Sequence, residues 1–192
     1  MKSKKIIITG HKSFIAKRFI EIAENKNIET INYSNIKNKK NLSKISCFIH
    51  FSFQKKIKTK INLFFKKNLD RTYEIIEFCN RNNIKLIFIS SSSYAPSQIK
   101  SKETHNTFSY NLYSMTKLIC EEKIKKKSKK YVILRLTNIF GKNGHSFAEK
   151  LIKIVKSKKN IVNEDKHLVR DFLYIDDFCE ILIKVLFMKK IN

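Results

Sequence analysis

The sequence predicts an α/β fold, a doubly wound parallel sheet, and two observations lead there. Short β-branched runs alternate with amphipathic stretches of helical length, an order that gives parallel strands with right-handed crossovers and helices on both faces. The residues with chemistry gather just after the apolar runs, at Thr9-Gly10, His50–Lys55, Ser90–Ser93 and Thr137–Gly141. In open sheets of this kind, ligands bind beyond the carboxyl ends of the strands.

Taken in order, Lys5–Thr9 reads as a strand around three isoleucines, and Ser13–Asn25 as the first helix. Ile28–Tyr33 and Cys47–Ser52 read as further strands. A long helical region, with a break in it allowed, covers Lys60–Asn82, where Leu69, Thr72, Tyr73, Ile76 and Cys79 fall near helical spacing. Lys85–Ser90 is again a strand, followed by a polar loop to about Ser109, a helix to about Lys127 and the strand Tyr131–Leu136. The lysine run Lys123–Lys130 stands where that helix ends, a place that suits cations. Ile175–Met188 reads as a last helix, its stripe of Phe178, Ile181, Leu182 and Val185 requiring cover.

A chain of 192 residues with 42% hydrophobic residues can bury one proper core. Its net charge of +25 would ordinarily direct attention to nucleic acid. The excess is nearly all lysine, spread along the chain beside heavy use of Ile and Asn. Arginine, the better bidentate reader of phosphate and guanine, is sparse. We read the charge as the imprint of an AT-rich genome on solvated faces, and expect no specific nucleic-acid partner. Cys47, Cys79, Cys120 and Cys179 lie far apart without a Cys-x-x-Cys pair, so neither zinc nor a redox dithiol is indicated and no metal is expected. Free thiols fit a reducing compartment. The basic start is followed by too short an apolar run for a signal peptide, and no stretch approaches membrane-span length. The expectation is a cytoplasmic protein.

Two local patterns carry candidate chemistry. Tyr113 and Lys117 are four residues apart, which on a helix puts a phenol and an ammonium on one face. A cation near a phenol favours the phenolate and brings proton transfer toward neutral pH. In a chain with 41 lysines and arginines the same spacing also arises by chance. The second pattern is the turn Thr9-Gly10-His-Lys-Ser13-Phe-Ile-Ala16 between the first strand and helix. It can receive a pyrophosphate at the helix N-terminus, or it can be an ordinary turn capped by Ser13.

That turn resembles the Thr-Gly-x-x-Gly-Phe-Ile-Gly turn of the extended short-chain dehydrogenase/reductase family, the NAD-dependent sugar-nucleotide epimerases and dehydratases. Further matches follow in the family's order: Phe48-Ile-His-Phe51, Asn68-Leu-Asp-Arg-Thr72, Phe88-Ile-Ser-Ser91, Tyr113-Ser-Met-Thr-Lys117, Leu134-Arg-Leu-Thr-Asn-Ile-Phe-Gly141 and Arg170-Asp-Phe-Leu-Tyr-Ile-Asp-Asp177. The resemblance implies a Rossmann-like doubly wound sheet binding NAD or NADP, and a nucleotide-sugar substrate. It implies that Tyr113 moves a proton at the sugar while hydride moves to or from the nicotinamide, and that Lys117 lowers the tyrosine pKa and holds the nicotinamide ribose. Ser91 matches the serine that hydrogen-bonds the reacting oxygen, although the run Ser90–Ser93 leaves Ser90 or Ser92 open. Gly10, Ser13, Phe14, Ile15 and Lys55 match cofactor-contacting positions, and Asn138 and Arg170 match contacts to the nucleotide-sugar substrate. Asp176 and Asp177 read as structural, at a helix start. A homodimer is compatible with the resemblance.

The chain departs from the pattern in three places. Ser13 and Ala16 replace the second and third glycines, so Ser13 either crowds the phosphates or donates its hydroxyl to them. Asn32, Tyr33 and Ser34 stand where an acid would grip the adenosine ribose, which leaves NAD and NADP both open. The segment between Gly141 and Arg170 is short, and we expect residues 1–140 to form the cofactor-binding domain and residues 141–192 a shortened substrate lobe packed on it. The alternative to an active enzyme is a degenerate member that binds a cofactor or a protein partner without catalysis.

Overall fold

The computed structural model describes residues 4–36, 42, 45–54, 60–92, 102–109, 111–144, 147–157 and 170–188. β1 (Lys4–Thr9), β2 (Ile28–Asn32), β3 (Ile45–His50), β4 (Lys85–Ser91) and β5 (Tyr131–Leu136) form one five-stranded sheet in the order β2-β1-β3-β4-β5. All four pairings are parallel, as the alternation of strands and helices predicts.

The strands' side chains alternate between two apolar layers. Ile6, Ile8, Cys47, Ile49, Ile87 and Ile89 face the layer that α1 (Phe14–Asn25) and α6 (Ile175–Phe187) cover. Ile7, Phe48, Leu86 and Phe88 face the opposite one, covered by α3 (Arg71–Arg81) and α4 (Leu112–Lys127). Burial on both faces is why these strands read as continuous β-branched and aromatic runs. The α6 stripe is covered as required at Phe178, Leu182 and Val185, while Ile181 remains exposed. Residues 175–187 therefore share the core of the main sheet, and the bidentate pair between Arg18 and Asp176, at 2.6 and 2.7 Å, ties α6 to α1. Asp176 is structural, as expected, and Arg18 holds its carboxyl below the ordinary carboxylate range.

Several boundaries differ from the sequence reading, each for a local reason. β2 stops at Asn32, whose side chain accepts from the Ser34 N–H and starts a single 3-10 turn over Tyr33–Asn35. β3 stops at His50, and Phe51–Gln54 run on as irregular chain. The long helical region is α2 (Ile61–Phe65), a π-helical turn at Lys66–Asp70, and α3. The extra residue of a π turn re-aims side chains, and here it includes the buried Asn68. Two short strands, β6 (Asn138–Phe140) and β7 (Phe172–Tyr174), pair in parallel as a second sheet, with α5 (Phe147–Lys156) between them in sequence.

In the main sheet the chain leaves β1 toward β2 on one side and β3 toward β4 on the other. The crevice where strand order reverses therefore opens at the ends of β1 and β3, between Gly10 and Phe51–Gln54.

Candidate active site

The glycine turn after β1 is set by the chain itself. Gly10 has φ of +70°, and a Cβ there would lie 2.8 Å from the Ser52 nitrogen and 3.0 Å from its Cα. Only glycine tolerates both the left-handed backbone and that approach. Ser13 closes the turn through its N–H to the Gly10 carbonyl at 2.8 Å, and its hydroxyl caps α1 by accepting from Ala16 N–H at 3.4 Å. Ser13 therefore caps the helix. Phe14 and Ile15 open α1 and lean their side chains on the core. Their main-chain N–H groups belong to the first helical turn, which has no intrahelical acceptors, so the turn is fit to receive a pyrophosphate.

Beside it, Asn32 at the end of β2 lies 2.7 Å from Nδ1 of His11 through its side-chain nitrogen. The place where an acid was missed is filled by an amide paired with an imidazole. Lys55 lies outside the described residues.

Below the crevice His50 is 1% exposed. Its Nδ1 is 2.8 Å from the Thr9 hydroxyl, and its Nε2 3.2 Å from the Thr72 hydroxyl. Thr72 donates to the Asn68 carbonyl at 2.7 Å, so it accepts from Nε2–H. Thr9 accepts from Ser52 N–H at 3.2 Å and donates to Nδ1. This donor order suits a neutral ring, and burial, with Lys117 and Arg71 nearby, pushes the His50 pKa down to about 3. Asn68 pins the loop above: its Oδ1 accepts from Gln54 N–H at 2.8 Å and its Nδ2 donates to the Gln54 carbonyl at 3.2 Å.

The α4 pair meets the end of β4. A capping box between Asn111 and Ser114 fixes the start of α4, with Ser114 N–H to Asn111 Oδ1 at 2.9 Å. Tyr113 is in the first turn, half-buried, and hydrogen-bonded to Ser91. Burial pushes the phenol pKa up, and the Ser91 hydrogen bond opposes that. The net direction is the reverse of the lowering expected from Lys117, because burial of the phenol outweighs the contacts that favour its anion.

Lys117 is 2% exposed and donates to the Ile89 carbonyl at 2.5 Å. Its ammonium lies 3.8 Å from the Phe53 ring centroid, 4.5 Å from that of Phe88 and 5.9 Å from that of Tyr113. A cation so close to ring faces is held by them. Phe53 also packs edge-on against Tyr113, with centroids 5.5 Å apart.

The predicted residues thus form separate groups. Tyr113, Lys117 and Ser91 meet where α4 crosses β4, and Gly10, Ser13, Phe14 and Ile15 form the β1–α1 turn. Asn138 and Arg170 are brought near one another on the small sheet: Asn138 donates from its main chain and its side chain to the Asp171 carbonyl, at 3.2 and 3.1 Å, and Arg170 precedes Asp171 in an exposed position. A cleft of about 620 Å³ opens beside the turn, lined by Lys12, Phe14, Lys142 and Tyr174 among others. Its described lining does not include Tyr113, so it marks the approach to the turn rather than the place where Tyr113 meets Ser91. Among the described residues no cluster of His, Cys, Asp or Glu has the makings of a metal site, and no helix is long and apolar enough to cross a membrane. All four cysteines are buried and free.

Sequence reasoning gave no role to His50, Asn68, Thr72 or Phe53. The first three stand inside matched segments, and the four-residue spacing of Asn68 and Thr72 on a helix was the available signal. For Phe53 there was none, because a lone aromatic after a strand does not reveal where its ring goes.

Comparison with solved structures places the fold. UDP-N-acetylglucosamine 4-epimerase from Bacillus cereus is similar at 21% identity and a TM-score of 0.77, covering 96% of this chain and 74% of its own. The ADP-L-glycero-D-manno-heptose-6-epimerase of Helicobacter pylori matches at 18% identity and a TM-score of 0.81, over 100% of this chain and 76% of its own. A Bacillus anthracis dTDP-4-dehydrorhamnose reductase, solved with NADP, matches at 20% identity and a TM-score of 0.77, over 98% and 72%. No curated protein sequence matches the chain. A sequence model of the NAD dependent epimerase/dehydratase family matches residues 44–191, and the chain belongs to that family.

Proposed function

We propose that this protein is an NAD(P)-dependent epimerase, dehydratase or reductase of nucleotide sugars. The meeting of Tyr113, Ser91 and Lys117 at one strand end, in a member of a family described as NAD dependent, carries that reading. When bound, the nicotinamide supplies a hydride acceptor or donor.

The chain's own part is proton management and placement. Tyr113 exchanges its phenolic proton with a sugar hydroxyl or carbonyl oxygen, and Ser91 hydrogen-bonds the same oxygen and the phenol. A raised phenol pKa suits Tyr113 as the acid and makes alkaline pH favour it as the base. Lys117 contributes positive charge beneath the reacting centre. Gly10, Ser13 and the main-chain N–H groups of Phe14 and Ile15 at the α1 N-terminus would hold the dinucleotide pyrophosphate, and Lys55 is a further candidate contact. Asn138 and Arg170 bind the nucleotide-sugar substrate, Arg170 as a planar fork for its pyrophosphate. Residues 1–140 form the cofactor domain and 141–192 a short substrate lobe packed on it, its last helix α6 sharing the core of the main sheet.

Calorimetric titration of the purified protein with NADH and NADPH, followed by turnover assays with UDP- and dTDP-sugars, tests this. No binding of either cofactor at millimolar concentration would remove the enzyme reading. A non-catalytic relative is the second reading, favoured by one observation, the burial of Lys117 under Phe53. Turnover of any nucleotide sugar would eliminate it.

A further inference from the structure

The two ends of the crevice differ in how they suit a dinucleotide. The β1–α1 turn presents first-turn N–H groups, while at the other end Lys117 is enclosed. Its ammonium has the Phe88 ring 4.5 Å away, the Ile89 carbonyl at 2.5 Å and the Phe53 ring at 3.8 Å. A ribose hydroxyl must come within about 3 Å of Nζ to be held, and the Phe53 ring stands in that space.

We infer that Phe53 governs access to Lys117 and so decides how the nicotinamide half of a dinucleotide is received. The inference rests on the cofactor reading above and deepens it. Phe53 is not a loose ring. It lies 5.5 Å from Tyr113 and 6.4 Å from Phe88, edge-on to both. The residue after it, Gln54, has both its main-chain N–H and its carbonyl taken by Asn68, which is 2% exposed and sits in the π-helical turn. Asn68 is held in turn through the Thr72 hydroxyl on its carbonyl at 2.7 Å. For Lys117 to reach a ribose, the ring must swing aside and surrender its contact with the cation. The adenosine and pyrophosphate end is untouched by that motion. Phe53 is thus a specificity-determining residue that weakens full dinucleotides relative to fragments lacking the nicotinamide ribose.

The experiment compares NADH with ADP, which ends at the pyrophosphate and lacks the nicotinamide ribose, on the full chain and its Phe53→Ala and Phe53→Leu variants. In the unchanged protein ADP should bind at least as tightly as NADH. Phe53→Ala should tighten NADH about fivefold, the worth of the contact the ring no longer has to give up, and leave ADP unchanged. Phe53→Leu, which keeps apolar bulk if the alanine variant fails to fold, should give a smaller gain of the same sign. Reductive methylation read by mass spectrometry supplies a ligand-free readout: Lys117 should label far more slowly than the exposed Lys125, and Phe53→Ala or Phe53→Leu should speed it selectively. Equal effects on both ligands, weaker NADH binding after Phe53→Ala, or fast labelling of Lys117 in the unchanged protein would each overturn the inference. If neither ligand binds while Lys117 labels slowly, the cofactor reading itself fails, and this inference with it.

Discussion

Lys117 donates to the carbonyl of Ile89 at 2.5 Å, two residues before Ser91, the serine that hydrogen-bonds Tyr113. One turn of α4 and two residues of β4 are therefore fastened at two points, and this fastening, more than the four-residue spacing, places a phenol over the strand end. Tyr113→Phe should abolish turnover of a nucleotide sugar while leaving the melting temperature and cofactor affinity nearly unchanged, since the ring and its packing on Phe53 survive. Turnover that persists in the variant would take Tyr113 out of the mechanism.

The hydrogen bond from Ser91 favours the phenolate and opposes the upward push of burial. Its removal in Ser91→Ala should move the alkaline limb of the pH–rate profile, where Tyr113 must act as base, to higher pH. The ultraviolet absorbance of the phenolate gives an activity-independent check by difference titration against Tyr113→Phe. A shift to lower pH would show that Ser91 does not serve the anion.

His50 is held neutral, with a pKa pushed down to about 3 against an unfolded value of about 6.5. The unfolded chain therefore binds the extra proton first as pH falls. The stability from this site is intact above about pH 6.5 and is lost between there and pH 3, at no more than about 1.4 kcal/mol per pH unit. Urea unfolding at pH 7 and pH 5 should show a steeper loss for the unchanged protein than for His50→Gln, which has nothing to titrate. Parallel losses would mean that His50 is protonated without cost.

The sheet was legible because burial on both faces writes continuous apolar runs, and Tyr131–Leu136 has the expected bounds. Of the candidate site, the part legible in the sequence lies at fixed spacing on one element, as for Tyr113 and Lys117. What supports them crosses between elements: Asn68 reaches back to Gln54, His50 bridges β1 and α3, and Phe53 folds over a lysine from α4. Local periodicity carries no record of such pairings. The direction of the Tyr113 pKa was misjudged for the same reason, since the spacing predicts a neighbouring cation but not the depth at which the phenol is buried.

Gly10→Ala isolates the turn from its ligand. The added methyl must sit 2.8 Å from the Ser52 nitrogen, in a backbone with φ of +70°, so we expect a loss of about 1–3 kcal/mol in unfolding free energy. Cofactor affinity should fall as well, because the same turn sets the start of α1. A variant as stable as the parent would show that the β1–α1 turn and the β3 loop separate easily.

The last prediction concerns what holds α4 against the sheet. Arg135 on β5 donates from Nη2 to Glu121 Oε2 at 2.8 Å and from Nε to both carboxylate oxygens, and Glu121 is 1% exposed. Glu121 has lost its hydration while Arg135 keeps part of its own and also donates to the Glu103 carbonyl, so the intact pair contributes little net stability while either half alone is costly. Glu121→Leu should therefore destabilise the protein by about 1–3 kcal/mol, and the double variant Glu121→Leu/Arg135→Met should recover most of it. The recovery distinguishes a stranded charge from a simple loss of packing, which would add rather than cancel. Because α4 carries Tyr113 and Lys117, the double variant also asks whether catalysis needs the ion pair or merely a firmly docked helix. Restored stability with restored turnover would assign the pair to docking alone, whereas restored stability without turnover would show that its charges tune the site.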